Sequence, residues 1–142
     1  MKFRHSGIVT NDIERSISFY TEMLGFKVEK DNFETGSFID SICGLKDTQV
    51  RTVKMSLDGE IVLELLNFQS HPSESDYGHN ITNRGFTHMA LTVDDLDQIY
   101  DLLSLNGLEF NCPPTESPDG KAKVTFCRDP EGNLIELVEE IK

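Results

Sequence analysis

The feature that most constrains what this chain can fold into is that it repeats itself. His5-Ser6-Gly7-Ile8-Val9-Thr10-Asn11-Asp12-Ile13-Glu14 aligns with His88-Met89-Ala90-Leu91-Thr92-Val93-Asp94-Asp95-Leu96-Asp97 at an offset of 83, so that Ile8 matches Leu91, Asp12 matches Asp95 and Ile13 matches Leu96. Each copy runs on through a helix-like stretch to a glycine, Gly25 or Gly107. Each then closes with an apolar strand holding one acid, Ile61-Val62-Leu63-Glu64-Leu65-Leu66 and Leu134-Ile135-Glu136-Leu137-Val138. Such a repeat decides the architecture before any single element is assigned. The 142 residues fit one domain built of two small halves, read as a first module 1–68, a linker 69–83 and a second module 84–142.

Local pattern gives both modules the order βαβββ. In the first, Phe3 to Val9 suits a strand, and Asn11 with Glu14 three residues later forms a capping-box-like helix start. The apolar stripe is Ile13, Ile17, Tyr20 and Leu24, and Gly25 sits where a left-handed C-cap belongs. Phe26 onward alternates as a strand, Gly36 to Gly44 has an ambiguous pattern that allows one short helix, and Val50–Leu57 and Glu60–Leu66 form strands joined by Asp58-Gly59, a strong hairpin signal. In the second module Gly85 to Val93 is a strand, Asp94 is the expected N-cap, and Leu96, Ile99, Tyr100 and Leu103 face inward. Leu108 to Phe110, Lys121 to Cys127 and Asn133 to Glu139 complete the order. The segment from Gln69 to Asn83 and the proline-bearing run Asn111 to Gly120 are loops. Loops of that length commonly rim functional sites.

Composition narrows the function classes. With 13 Lys+Arg against 25 Asp+Glu the chain carries −12, which repels phosphate backbones and anionic leaflets. Nucleic acid and membranes are therefore poor partners. No apolar run reaches the roughly 18 residues of a spanning helix, and Met1-Lys2-Phe3-Arg4-His5 lacks the apolar stretch of a signal peptide, so a cytoplasmic location is expected. Cys43, Cys112 and Cys127 are odd in number and without CxxC spacing, which suggests reduced thiols and neither a disulfide framework nor a zinc knuckle.

Four residues resist a purely structural reading. Glu64 lies in a strand apolar on both faces, and Glu136 repeats the situation between Leu134-Ile135 and Leu137-Val138. Burying one unpaired carboxylate costs several kcal/mol. A single such acid is explained by an edge strand or an ion pair; two at matched repeat positions point further. His5 and His88 occupy the other matched pair, each expected in the first strand of its module. If the halves are related by a pseudo-twofold, two imidazoles and two carboxylates converge on one axis. Mixed N/O ligation of that kind suits a divalent ion such as Zn, Ni, Co, Mn or Fe(II), with up to two positions left for water or substrate. His71 and His79 fall in the linker and read as solvated loop residues.

The pattern resembles the vicinal oxygen chelate superfamily, which includes glyoxalase I, methylmalonyl-CoA epimerase, fosfomycin-resistance proteins and extradiol dioxygenases. The segments that carry the resemblance are Arg4-His5-Ser6-Gly7-Ile8-Val9, Ser18-Phe19-Tyr20-Thr21-Glu22-Met23-Leu24-Gly25-Phe26, Gly85-Phe86-Thr87-His88-Met89-Ala90-Leu91-Thr92-Val93 and Arg128-Asp129-Pro130-Glu131-Gly132-Asn133-Leu134-Ile135-Glu136-Leu137-Val138. The resemblance implies an α+β fold in which two βαβββ modules form a U-shaped mixed sheet around a metal-binding cleft, with helices on the outer face. It also implies the metal ligands His5, Glu64, His88 and Glu136.

Glu64 at the second ligand position looks like glyoxalase I, a lyase or isomerase that removes the proton alpha to a chelated carbonyl. Glu136 is then the base and Glu64 its opposite-face partner. The stretches Gly36–Leu45 and Val50–Met55 look more like epimerases of the superfamily, acting on methylmalonyl-CoA-type or cyclitol and keto-sugar substrates. A drug-binding resistance protein without chemistry is a third reading, against which stands the filled ligand set. An anionic substrate calls for basic residues at the mouth. Among Arg4, Arg51, Arg84, Lys121, Lys123 and Arg128, the candidates singled out are Arg84 and Lys121. An open half-sheet must find a partner half, in the same chain or in a second subunit, and a homodimer is expected.

Overall fold

In a computed structural model, which describes residues 1–74 and 80–142, the chain forms two compact units, Met1–Asp76 and Tyr77–Lys142. The first contains β1 (Ser6–Val9), α1 (Ile13–Ser18) continuing into a π-helical turn (Phe19–Met23), β2 (Lys27–Thr35), α2 (Ser37–Cys43), β3 (Gln49–Leu57) and β4 (Glu60–Phe68). The second contains β5 (His88–Thr92), α3 (Leu96–Leu105), β6 (Thr115–Glu116), β7 (Ala122–Arg128) and β8 (Leu134–Glu140). Each unit holds a four-stranded mixed sheet of the same topology, β1-β4-β3-β2 and β5-β8-β7-β6, in which the first and last strands run parallel and the other pairs antiparallel. This is the expected α+β βαβββ order. Among the described residues no helix is long and apolar enough to cross a membrane.

In the first unit one sheet face is the core. Val53, Met55, Leu63 and Leu65 are fully buried, and with them Tyr20, which meets Phe19 and Phe26 edge-on at ring separations of 5.1 and 5.5 Å. Strand alternation sends Glu64 to the opposite face from Leu63 and Leu65. Arg51 ties the helix to the sheet, donating to both oxygens of Asp31 at 2.9 and 2.7 Å and pairing with Glu14 of α1. At the hairpin, Asp58 and Gly59 both take positive φ, 51° and 82°, the conformation that a two-residue turn matching strand twist requires.

Several expectations about this unit shift. β1 begins at Ser6, so His5 stands just ahead of the strand. The helix cap is Asp12, whose Oδ1 accepts from the Arg15 amide at 3.1 Å. Asn11 instead exchanges hydrogen bonds with the backbone of Ser73. The helix does not stay regular to Leu24. Thr21 Oγ1 donates to the Ile17 carbonyl at 2.8 Å, a back-bond that disturbs the helical ladder, and the following turn widens. Rotation of that turn buries Phe19 and Tyr20, and Ser16 enters the core through a 2.8 Å bond with Thr10, while Ile17 and Leu24 are half-buried.

The second unit buries Leu96, Leu103, Cys127, Leu134, Ile135 and Leu137. β5 is shorter than Gly85–Val93. The cap of α3 is Asp95, not Asp94: Asp95 is extended, its Oδ1 accepts from Gln98 N at 2.9 Å, and the Leu96 amide is taken by Glu139 of β8 at 2.8 Å. Leu108 to Phe110 is not a strand. The Gly107 amide bonds the Ser104 carbonyl and the Leu108 amide bonds the Leu103 carbonyl, a Schellman termination that consumes the groups a strand would pair. Phe110 keeps one bridge to Cys127, and the fourth strand is Thr115–Glu116, inside the proline-bearing segment expected as loop. The run from Arg128 to Asn133 is a built turn. Buried Asp129 accepts from the amides of Glu131 and Asn133 and from Asn133 Nδ2, and Arg128 donates to the Gly132 carbonyl.

Candidate functional site

Register places the same constellation in each unit. β1 runs parallel to β4 with Gly7 opposite Glu64, and β5 runs parallel to β8 with Ala90 opposite Glu136. The histidine lies two residues before the small residue in both, hence on the face of the acid. The structure accordingly brings His5 to Glu64, with Nε2 2.9 Å from Oε2. It brings His88 to Glu136, with Nε2 3.3 Å from Oε2. A small residue stands beside each acid, and at Gly7 the packing is close: an added Cβ would meet Leu66 Cδ1 at 3.3 Å.

The two pairs differ in what surrounds them. Glu64 lies opposite Lys54 of β3, whose Nζ is 3.2 Å from Oε1, so both carboxylate oxygens are engaged and the side chain is 14% exposed. Glu136 lies opposite Phe126 of β7, whose ring stands edge-on to that of His88 at 5.2 Å. His88 Nδ1 shares a hydrogen bond of 2.8 Å with Thr87 Oγ1, which fixes the ring and leaves Nε2 toward the acid. His5 Nδ1 is buried with no partner among the described residues, and that ring is oriented through Nε2 alone.

The donor set fits a divalent ion. Ligand bonds of about 2.0–2.2 Å separate neighbouring N and O donors by roughly 3.0 Å in an octahedron and 3.4 Å in a tetrahedron. The observed 2.9 and 3.3 Å are of that size. Within each pair, a hydrogen bond and a shared ion thus demand nearly the same spacing. Each pair offers one imidazole nitrogen and one carboxylate oxygen, the chemistry that borderline divalent ions take. Among the described residues no group of three or more His, Cys, Asp or Glu is placed to hold a metal.

The other sequence candidates lie as follows. Arg84 is exposed in the segment leading to Gly85. Lys121 is exposed just ahead of β7, its carbonyl accepting from Ile141 N. Strand parity puts it on the side of Lys123, away from Phe126 and Glu136. Lys123 itself is engaged by Asp97 and Glu139 on the helix-bearing side. His71 is exposed, its Nδ1 2.8 Å from Ser70 Oγ, and His79 lies outside the described residues. Lys54, Phe126 and the small residues Gly7 and Ala90 were not among the sequence candidates. The repeat alignment already pairs Gly7 with Ala90, but Lys54 depends on the register of β3 against β4.

Comparison with known proteins bears on the family and the fold. Residues 2–137 match the family model described as Glyoxalase/Bleomycin resistance protein/Dioxygenase superfamily. An uncharacterized Bacillus subtilis protein, YwkD, is 30% identical over 96% of this chain and 94% of its own length. The lactoylglutathione lyase of Schizosaccharomyces pombe is 31% identical over 98% of the chain, which spans 47% of that longer protein. That of Pseudomonas aeruginosa is 30% identical over 96% of the chain and 81% of its own length. Among solved structures, a glyoxalase family protein from Bacillus cereus superposes with a TM-score of 0.91 at 24% identity, covering 100% of this chain and 95% of its own.

Proposed function

Since the chain belongs to the Glyoxalase/Bleomycin resistance protein/Dioxygenase superfamily, we propose that it is a metal-dependent lyase or isomerase of the glyoxalase I type, with His5, Glu64, His88 and Glu136 as ligands of one divalent ion. The observation that carries this reading is the His–Glu pair built twice, at equivalent register in two sheets and at ligand spacing. The lactoylglutathione lyases at about 30% identity support the reaction class.

When bound, the ion supplies Lewis acidity that lowers the free energy of the anion left as a proton alpha to a carbonyl departs. Glu136 is the base. Its Oε2 faces His88, and Oε1 takes the proton from the substrate carbon and returns it to the neighbouring carbon. Among the described residues no lysine pairs with Glu136, whereas Lys54 holds Glu64 in place as ligand and opposite-face partner. An epimerase of the same superfamily calls for two bases of like standing on either side of one carbon. The ammonium beside Glu64 and the phenyl ring beside Glu136 make the two acids unlike, which favours transfer by one base.

The test is metal content after loading with Ni, Co, Zn or Mn, followed by assay with the hemithioacetal of methylglyoxal and glutathione. About one ion per chain and turnover are expected. A Glu64→Ala, Glu136→Ala double variant that keeps its fold and its full metal content overturns the ligand assignment. Metal uptake without turnover, combined with solvent deuterium exchange into an acyl-CoA or keto-sugar, replaces the isomerase by the epimerase. No metal under any loading condition replaces both by a binding protein.

A further inference from the structure

The cross-strand row that carries Glu64 holds two lysines for one acid, an excess that ligation alone leaves unexplained. Lys30 of β2 is opposite Lys54, Lys54 is opposite Glu64, and Glu64 is opposite Gly7, so these four positions form one row on one face. Like charges directly opposite one another destabilise a sheet. Lys30 is exposed and belongs to none of the ion pairs among the described residues. The acid at the neighbouring bulge, Glu29, is taken up by Ser56 Oγ at 2.5 Å. On the same face, two residues from Lys54, Thr52 is 4% exposed and its hydroxyl has no partner among the described residues. A chain of −12 has carboxylates to spare for such lysines, yet this row gives Lys30 and Lys54 one acid between them, and the Thr52 hydroxyl stands without a partner among the described residues two residues from Lys54. The second unit has Phe126 at the place of Lys54.

We infer that Lys54, with Lys30 and Thr52 beside it, forms an oxyanion subsite next to Glu64 that selects substrates carrying a carboxylate or phosphate group close to the reacting carbonyl. The inference rests on the metal reading above. Lys54 shares Glu64 with His5, and an ion on Glu64 draws on the negative charge that now balances the ammonium. Lys54 and Lys30 are then an uncompensated positive pair, and an oxyanion on the substrate meets it with charge-assisted hydrogen bonds. With Lys54 Nζ 3.2 Å from Glu64 Oε1, the anionic group must lie within a few bonds of the oxygens that face the ion.

Binding to the metal-loaded full chain tests this, measured calorimetrically with three probes that share a hydroxy-ketone: neutral hydroxyacetone, hydroxypyruvate with a carboxylate, and dihydroxyacetone phosphate. At least one anionic probe is expected to bind about tenfold or more tighter than hydroxyacetone, and which one it is separates carboxylate from phosphate. Lys54→Met should bring the preference to within about threefold with metal content retained, Lys54→Arg should keep most of it, and Lys30→Met should reduce it by less. If Lys54→Met does not fold, Lys54→Gln serves with the same outcomes. Equal binding of all three probes to the unaltered protein, or a preference that survives loss of the Lys54 charge, overturns the subsite and leaves the metal centre standing. Failure to take up metal overturns both.

Discussion

Glu64 and Glu136 hold equivalent places in two sheets, with Lys54 beside the one and Phe126 beside the other, and the roles proposed for them differ accordingly. Glu136→Gln keeps an oxygen donor and removes the base, so turnover should fall about 10²-fold or more while metal content stays within a factor of two of the unaltered protein. Equal loss in Glu64→Gln would show that the two acids act as a symmetric pair. Cys127 offers a test independent of the reaction. It is buried on β7, and burial, with the nearby Asp129 carboxylate, pushes its thiol up to about 12 from 9.0. Cys43 and Cys112 are exposed and should react with a thiol reagent in the folded protein, with Cys127 following only on unfolding. The unfolded thiol ionises first, so this group's contribution to stability is intact below about 9.0 and is lost as pH rises toward about 12. Replacing Cys127 with Ala should flatten that alkaline slope in denaturant titrations. At this scale the sequence named His5, Glu64, His88 and Glu136 by repetition alone; it gave no means to see Lys54, because a lysine in a strand is ordinary until its cross-strand partner is known.

Elements succeed or fail by where their end groups find partners. α3 starts at Asp95 because Glu139 of β8 holds the first helical amide while Asp95 caps the third. Asp95→Ala should cost about 1 kcal/mol in chemical denaturation, and Asp94→Ala close to nothing. α1 depends on a tie to the sheet. Arg51 donates to Asp31 and Glu14, and its hydrogen bonds to Asp31, slightly offset by burial, hold that carboxyl below the usual range. Stability from this contact is therefore present above the unfolded carboxylate value and lost as pH falls through the lowered one. Arg51→Leu should lower stability by about 1 kcal/mol at neutral pH, with the difference shrinking in acid and in high salt. The helices after the first strand of each unit, the βαβββ element order and the Asp58-Gly59 hairpin were legible from the repeat, periodicity and turn chemistry; the order of strands within each sheet was not. The π turn after Ser18 and the loss of a Leu108–Phe110 strand were not. Each goes with competing local bonds, from Thr21 to the Ile17 carbonyl in one case and from Gly107 and Leu108 to the Ser104 and Leu103 carbonyls in the other.

At the scale of the molecule, each four-stranded sheet ends in two edge strands, β1 and β2 in one unit and β5 and β6 in the other. Open edges seek partners. Sedimentation at micromolar concentration should give a homodimer of twice 16.1 kDa, and a monomer at every concentration would count against the assembly expected from the half-sheets. By itself the sequence determined that the chain is two βαβββ units with one histidine and one acid at matched places, because a repeat with period-two alternation admits few other arrangements. Only the tertiary structure decided what stands beside each acid. An unbroken ladder from the hairpin, with Leu57 opposite Glu60, sets Lys54 opposite Leu63; the register shift between Met55 and Ser56 moves it opposite Glu64. A one-residue slip changes which side chains share a face. That bulge, invisible in composition or periodicity, puts the lysine on the carboxylate.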